Sequence, residues 1–185
     1  MSLLEWIAAV IAFTGVYLST CGRISSWPLG IAGSMLYTWI FYQNSLPAEA
    51  ALQFLYVIMG IYGWWNWSVM GSRPEERPVR RMSFFLILLS LLIWIVAAFA
   101  AGWVIQKLEL GTLPYIDATL ATGGLVTTLL LARKYLENWV LWIVIDLASA
   151  MLFYTREMFA SSLLYFAFTI LAFKGYLEWK KQCTP

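Results

Sequence analysis

Seven long apolar segments, separated by short polar breaks, set the strongest limit on what this chain can fold into. Each is close to the length that a helix needs to cross a bilayer, roughly 17 to 25 residues. In the hydrocarbon core only helices and closed barrels satisfy their own backbone hydrogen bonds. We therefore predict an all-α integral membrane protein with seven transmembrane helices. The predicted spans are Leu3–Thr20, Trp27–Tyr42, Pro47–Ser68, Ser83–Ile105, Pro114–Ala132, Trp139–Thr155 and Phe159–Leu177.

The composition agrees with a membrane protein and excludes a water-soluble one. Of the 185 residues, 62% are hydrophobic and 12% are charged, whereas about a quarter of the residues in soluble domains are charged. There is no histidine, and Cys21 and Cys183 are far apart, so we predict no metal site and no cofactor. A net charge of +2 without a basic cluster argues against nucleic acid as a partner.

The distribution of Lys and Arg predicts the orientation in the membrane. With seven spans, ten of the twelve basic residues fall on one side, and Lys107 and Arg156 fall on the other. Because cytoplasmic loops carry the excess of positive charge, we expect the C-terminus in the cytoplasm and the N-terminus outside, in the inner membrane of a bacterium. The ten predicted cytoplasmic cations are Arg23, Arg73, Arg77, Arg80, Arg81, Arg133, Lys134, Lys174, Lys180 and Lys181.

The chain also matches itself without a gap at an offset of 112 residues. Matched Trp, Tyr and Gly rarely coincide by chance, so the offset indicates a duplication. We predict two parallel three-helix repeats, 1–70 and 113–185, joined by residues 71–112, which form a cytoplasmic loop and an inverting fourth helix. Such a 3+1+3 arrangement favours transport by alternating access at the seam between the repeats. The matches include Trp27 with Trp139, Phe41 with Phe153, Tyr42 with Tyr154, Gly63 with Gly175 and Trp67 with Trp179.

Asp146 is the clearest functional candidate, since a charged side chain deep in a span is costly unless it faces a partner or a cavity. It follows Trp142 by four residues and therefore shares its helical face. Tyr154 is expected to share that face approximately. The Trp142 ring, the Asp146 carboxylate and the Tyr154 phenol together would suit a cationic heteroaromatic ligand that stacks on the rings. The alternative is that Asp146 hydrogen-bonds a neighbouring group and only fixes packing.

A second polar face is predicted on the third helix. Gln53, Tyr56 and Gly60 recur there at intervals of three to four residues. All three are predicted to lie in the substrate-binding site, with Gln53 as the main ligand contact. For Gln53 a packing hydrogen bond between helices is the alternative. Glu49 is expected at the rim, close to the outer surface.

The remaining candidates lie near the ends of spans. Trp39 and Asn138 are predicted to contact ligand, although Asn138 is first a candidate N-cap of the sixth helix. Tyr42 and Asn66 are predicted to lie at a gate or rim. Tryptophans near span ends are expected to anchor the helices at the membrane interface, and these are Trp27, Trp64, Trp65, Trp67 and Trp179.

Several segments resemble the PnuC family of bacterial nicotinamide riboside transporters, and the resemblance covers almost the whole chain. It implies a 3+1+3 fold similar to that of the SWEET sugar transporters, a homotrimer, and ligand bound between the three-helix units on helices equivalent to 3 and 6. It also implies facilitated uptake of a vitamin precursor, made one-way by cytoplasmic phosphorylation. The segments are 27–31 (WPLGI), 41–43 (FYQ), 62–67 (YGWWNW) and, most specifically, 133–142 (RKYLENWVLW).

Members of that family carry nicotinamide riboside, thiamine or riboflavin. Asp146 stands where relatives can have Asn, and Met59-Gly60 stands where many have an amide. A carboxylate favours a cation, which fits nicotinamide riboside and thiamine and does not fit riboflavin. We therefore expect uniport of a cationic vitamin or vitamin precursor. The alternatives are a transporter of riboflavin or another vitamin with the same fold, and a non-transporting membrane sensor or assembly subunit. An enzyme is disfavoured by the lack of histidine.

Overall fold

The chain folds into helices, as its sequence predicts. The computed structural model describes residues 3–44, 46–71, 78–110 and 113–183, and these contain seven α-helices. Of the helices in these ranges, α4, α5 and α6 are long and apolar enough to cross a membrane by length and composition. The helices are α1 Leu3–Thr20, α2 Ser26–Gln43, α3 Pro47–Met70, α4 Phe84–Lys107, α5 Pro114–Ala132, α6 Glu137–Thr155 and α7 Phe159–Gln182.

Local chemistry sets the helix ends. Pro47 and Pro114 lie in the first turn of α3 and α5, where a missing backbone N–H costs nothing. After α1, α4, α5 and α6, the second residue past the helix has a positive φ, and the next backbone N–H donates to a carbonyl five residues earlier. This is the usual way of satisfying the last carbonyls of a helix. The residues with positive φ are Gly22, Glu109, Lys134 and Glu157.

Six helices pack side by side in a closed ring, in the order α1, α2, α3, α5, α6, α7, and α7 packs back against α1. Helix α4 packs against α5 from outside the ring. There the Trp94 ring lies over Gly123, and its Nε1 donates to the Thr119 carbonyl oxygen at 2.9 Å. Other side chains of α4, such as Leu92 and Phe99, are exposed. In a bilayer that face of α4 meets lipid.

Four tryptophans pack together at one end of the ring. Trp27 and Trp67 meet edge to face with ring centroids 5.3 Å apart, and Trp139 and Trp179 do the same at 5.3 Å. Trp67 and Trp179 join the two pairs at 6.1 Å. All four, called the tryptophan cluster below, are buried. The interfacial role predicted for Trp27, Trp67 and Trp179 is therefore wrong.

Glycines on the neighbouring helices allow this burial. A Cβ at Gly63 would overlap the Trp27 ring, and a Cβ at Gly175 would overlap the Trp139 ring. Each ring therefore packs directly on a helix backbone, where it buries far more apolar surface than at an interface. Two further tryptophans keep the exposure that interfacial anchoring predicts, Trp64 and Trp65.

The segment before α4 closes the same end of the ring. Val79 is buried in contact with the tryptophan cluster. Arg80 N–H donates to the Lys134 carbonyl oxygen at 2.9 Å, and Leu136 N–H donates to the Arg80 carbonyl oxygen at 2.9 Å. Cys183 Sγ lies 3.8 Å from the Val79 carbonyl oxygen. The start of α4 is thereby tied to the turn between α5 and α6 and to the end of α7.

A first prediction concerns the glycines under the cluster. Gly63→Ala and Gly175→Ala should each lower the free energy of unfolding by about 1–3 kcal/mol, since overpacking forces a confined ring to move. Gly30→Ala on α2 is the matched control, because its Cβ would meet nothing within 4 Å. Thermal unfolding of the purified protein in detergent, followed by tryptophan fluorescence, checks this. Equal midpoints for the three variants would contradict the packing described here.

Candidate functional site

A buried carboxyl group lies at the middle of α6. Asp146 is the tenth residue of this 19-residue helix and is 4% exposed. Among the residues that the structure describes, no Lys or Arg forms an ion pair with it and no side chain donates a hydrogen bond to it. Carboxylates at such positions in a membrane helix are costly and usually face a partner or a cavity. The described residues therefore provide no charged partner for this carboxyl group.

Tyrosines from two other helices lie near this carboxyl group, and a third tyrosine lies near one of them. Asp146 interacts electrostatically with the phenols of Tyr56 on α3 and Tyr165 on α7, and Tyr165 interacts in turn with Tyr37 on α2. The four groups come from four different helices of the ring. The structure thus brings together two predicted site residues, Asp146 and Tyr56, and adds two that the sequence reasoning missed.

Helix α5 leaves room for the Tyr56 side chain at Gly124. A Cβ at Gly124 would overlap the phenol oxygen of Tyr56 and would lie 3.5 Å from the Trp142 ring. The absence of a side chain at Gly124 therefore lets Tyr56 approach α5 beside Trp142, one turn before Asp146. Nearby Thr127 and Thr128 are buried, and their hydroxyls donate to carbonyls of their own helix at 2.8 Å.

A row of aromatic rings continues from Tyr165 toward α1. Phe153 stacks on Tyr165 with centroids 5.2 Å apart and planes inclined by 19°. Tyr165 meets Phe168 edge to face at 6.1 Å, and Phe168 stacks on Phe13 at 6.2 Å. Flat aromatic faces beside a carboxylate can hold a planar cation by stacking and by cation–π attraction.

Tyr154 does not belong to this arrangement. Its side chain is 63% exposed and packs edge to face on Phe159 at 5.7 Å, in a groove between α6 and α7 that Met151 and Leu163 also line. Eight residues turn about 80° around a helix, so Tyr154 points away from Asp146. The stripe predicted on α6 consists of Trp142 and Asp146 alone.

The predicted residues of α2 and α3 lie in different places. Gln53 is half-buried. Gly60 is buried under Ile31, whose Cγ1 would lie 2.7 Å from an added Cβ, so this glycine allows α2 and α3 to pack closely. Three predicted residues are exposed at the end of the ring opposite the tryptophan cluster: Trp39, Tyr42 and Glu49.

The two predicted asparagines lie at the end with the tryptophan cluster. Asn66 Nδ2 donates to the Ala132 carbonyl oxygen at 2.8 Å, which joins α3 to α5. Asn138 is buried inside the first turn of α6, and its Nδ2 donates to the Tyr135 carbonyl oxygen. The N-cap prediction for Asn138 is wrong, because α6 starts at Glu137 without a side-chain cap. About 12 Å of helix separates Asn138 from Asp146.

One signal in the sequence could have found Tyr165. At the offset of 112 residues, Tyr165 is the counterpart of Gln53, which had been singled out on α3. Applying the repeat to each candidate would have placed Tyr165 on the equivalent face of α7. Nothing comparable marks Gly124 or Tyr37, whose roles depend on how the helices meet.

Comparison with known proteins gives the family. The model of the nicotinamide mononucleotide transporter family matches residues 2–181. The nicotinamide riboside transporter PnuC of Escherichia coli (strain K12) is 28% identical, and the alignment covers 95% of this chain and 85% of that protein. The riboflavin/roseoflavin transporter RibM of Streptomyces davaonensis is 23% identical, with 83% and 73% covered.

A solved structure has the same fold. The crystal structure of the vitamin B3 transporter PnuC superimposes with a TM-score of 0.72 at 23% identity, and the match covers 96% of this chain and 82% of that one. The family model spans nearly all of the chain. The chain therefore belongs to the nicotinamide mononucleotide transporter family, the PnuC family of membrane transporters.

Proposed function

We propose that this protein takes up nicotinamide riboside, with Asp146 as the counter-charge for the solute's pyridinium ring. The observation that carries the proposal is a carboxylate buried among aromatic side chains without a cationic partner in the described part of the chain. Two relatives named as nicotinamide riboside transporters, from Escherichia coli and Neisseria mucosa, support this solute. Family members differ in their solutes, since RibM is named for riboflavin and roseoflavin.

Charge explains why a cation fits best. A carboxylate at the centre of a membrane helix costs about 2.5–3.5 kcal/mol on insertion scales. A bound pyridinium offsets that cost by its charge, and the faces of Trp142 and Tyr165 add cation–π attraction. Neutral riboflavin offers no charge to the carboxylate. Thiamine is also a cation, so the same carboxylate makes it the second candidate.

We also propose the 3+1+3 arrangement, with repeats at 1–70 and 113–185 and a linker at 71–112. The packing supports it, because exchanging α1–α3 with α5–α7 maps the α3–α5 contact onto the α7–α1 contact. The edge-to-face tryptophan pairs support it too, since they match at the offset of 112 residues with equal centroid distances. Rocking one repeat against the other would expose Asp146 to each side of the membrane in turn.

Transport is proposed as uniport. The solute moves down its own gradient, and phosphorylation in the cytoplasm traps it by adding negative charge. The family resemblance further implies a homotrimer in the inner membrane, with all seven helices as spans.

The proposed orientation predicts which side of the membrane the thiols face. Cys21 and Cys183 are partly exposed at the end with the tryptophan cluster, which we place in the cytoplasm. A membrane-impermeant maleimide should leave both unlabelled in intact spheroplasts and should label them after permeabilisation. Glu157→Cys in a Cys21→Ser, Cys183→Ser background is the control, because Glu157 is exposed at the opposite end and should react in intact spheroplasts. The reverse labelling pattern would show that the protein has the opposite orientation.

Two of the predicted cytoplasmic cations, Arg73 and Arg77, lie outside the described residues.

A third prediction tests Asp146 directly. Asp146→Asn keeps the shape of the side chain and removes its charge, so uptake of labelled nicotinamide riboside into proteoliposomes should fall at least about tenfold at a subsaturating concentration. With the membrane potential held at zero by valinomycin and equal potassium on both sides, uptake by the unchanged protein should stop at equal concentrations, as uniport of a cation requires. Thiamine and riboflavin are tested as competitors, and thiamine should compete better than riboflavin.

Glu157→Gln is the matched control, because it removes one exposed carboxylate far from the site. It should leave uptake within about twofold of the unchanged protein, as exposed charges interact weakly through water. Full uptake by Asp146→Asn would reject the counter-charge role. Binding without uptake by the unchanged protein would favour a sensor or an assembly subunit over a transporter.

A further inference from the structure

Lys134 is buried against two tryptophan rings that also contact each other. Its Nζ lies 4.5 Å from the ring centroid of Trp67 and 4.2 Å from that of Trp179. Lys134, Trp67 and Trp179 are each fully buried. A lysine ammonium at these distances from two rings is in cation–π contact with both. The rings thus form an aromatic cage, and a charge belonging to the chain itself occupies it.

The backbone at Lys134 is unusual for a lysine. Its φ is 62°, in the left-handed region that favours glycine. The turn after α1 has the same form, and there the residue at the offset of 112 is Gly22, with φ 66°. Glycine therefore meets the needs of this turn in one repeat, while the other repeat carries a strained lysine. Glu109 and Glu157 hold the same form after α4 and α6, so what distinguishes Lys134 is its burial against the two rings.

The cage lies on the seam between the two sets of three helices. Trp67 belongs to α3, and its Nε1 donates to the Ala132 carbonyl oxygen at the end of α5, at 3.0 Å. Trp179 belongs to α7, and its Nε1 donates to the Ser19 carbonyl oxygen at the end of α1, at 3.2 Å. Any opening of the ring at this end has to separate groups that these two rings join.

We propose that Trp67 and Trp179 form a second binding site for organic cations at this end of the pathway, with Lys134 as its tethered occupant. While the lysine ammonium fills the cage, this end stays closed. When an organic cation arrives from the direction of Asp146, it replaces the ammonium between the rings, and the lysine side chain moves out to water. The identity of the cation follows from the proposed function, whereas the chemistry of the cage does not depend on it.

Exchange of one cation for another is chemically reasonable at this place. Ring faces attract positive charge whatever group carries it. An ammonium is strongly hydrated. When the lysine leaves the cage, hydration in water therefore offsets part of the cation–π attraction that it loses. A quaternary ammonium or a cationic ring nitrogen is hydrated less strongly than a primary ammonium. It therefore loses less hydration free energy on entering the cage. The cage therefore discriminates by charge and excludes neutral molecules of equal size.

Lys134→Gly tests the proposal, because glycine suits the left-handed turn and leaves the cage without its occupant. The probe is choline, compared with its neutral isostere 3,3-dimethylbutan-1-ol, in titrations of purified full-length protein followed by tryptophan fluorescence. The background is Asp146→Asn, which removes the first site. The Lys134→Gly variant should bind choline saturably and at least about tenfold more tightly than the isostere, and adding Trp67→Leu should abolish this binding.

Three further variants complete the design. Lys134→Arg keeps a cation in the cage and should show no choline binding. Lys174→Ala removes a lysine that lies 4.1 Å from the single ring of Tyr17, so it should create no site. Lys134→Asn, which also tolerates a left-handed turn, replaces Lys134→Gly if the glycine variant does not fold.

The outcomes separate this proposal from the proposed function. If the folded Lys134→Gly or Lys134→Asn variant binds no choline, or binds the neutral isostere equally well, the cage is not a cation site. Because the titration is made without Asp146, its result stands whether or not Asp146 proves to bind nicotinamide riboside. Loss of uptake in Asp146→Asn together with no choline binding would leave the proposed function intact and reject the cage alone.

Discussion

A carboxyl group deep inside a membrane protein is costly unless it faces a partner or a cavity, and Asp146 places that constraint at the centre of this structure. Asp146 lies at the midpoint of α6, is buried, and has no cationic partner among residues 3–44, 46–71, 78–110 and 113–183. Helices α3 and α7 place the phenols of Tyr56 and Tyr165 near it, and Trp142 lies one turn before it on α6. Under the proposed function, a cationic solute would supply the positive partner that the described residues do not offer to Asp146.

The ends of the ring differ in how strongly the two sets of helices are joined. In the described part of the chain, the side-chain hydrogen bonds that cross the seam lie at the end with the tryptophan cluster, where Asn66 and Trp67 share the Ala132 carbonyl and Trp179 bonds Ser19. At the opposite end Trp39 and Tyr42 are exposed. In the proposed transport pathway, the firmest closure would therefore lie at the end that carries most of the basic residues.

Much of the fold could be predicted from the sequence, because the length and spacing of apolar runs determine helices in a membrane. Helices α1 and α5 have the predicted bounds, and α7 extends beyond the predicted Leu177 to Gln182, since charged residues do not end a helix that leaves the bilayer. The pairing of Trp142 with Asp146 followed from a spacing of four residues. Over eight residues the accumulated rotation moved Tyr154 to another face, so the prediction was wrong there.

Other features depended on contacts between distant residues. Tryptophan is common both at interfaces and in cores, and only the glycines opposite Trp27 and Trp139 decide between the two. The closeness of Tyr56 to Asp146 likewise depends on Gly124 of a third helix. Lys134 could be counted as a cytoplasmic charge, but its position between two rings required the packing of α3, α5 and α7.

The most direct test of the account uses one solute in two charge states. Nicotinamide riboside carries a positive ring, and its dihydro form has nearly the same shape without the charge. Dissociation constants of both, measured by calorimetry on the purified protein, should differ at least about tenfold in favour of the cation. Equal affinity for the two forms would show that the buried carboxylate does not recognise charge, and would contradict the central claim.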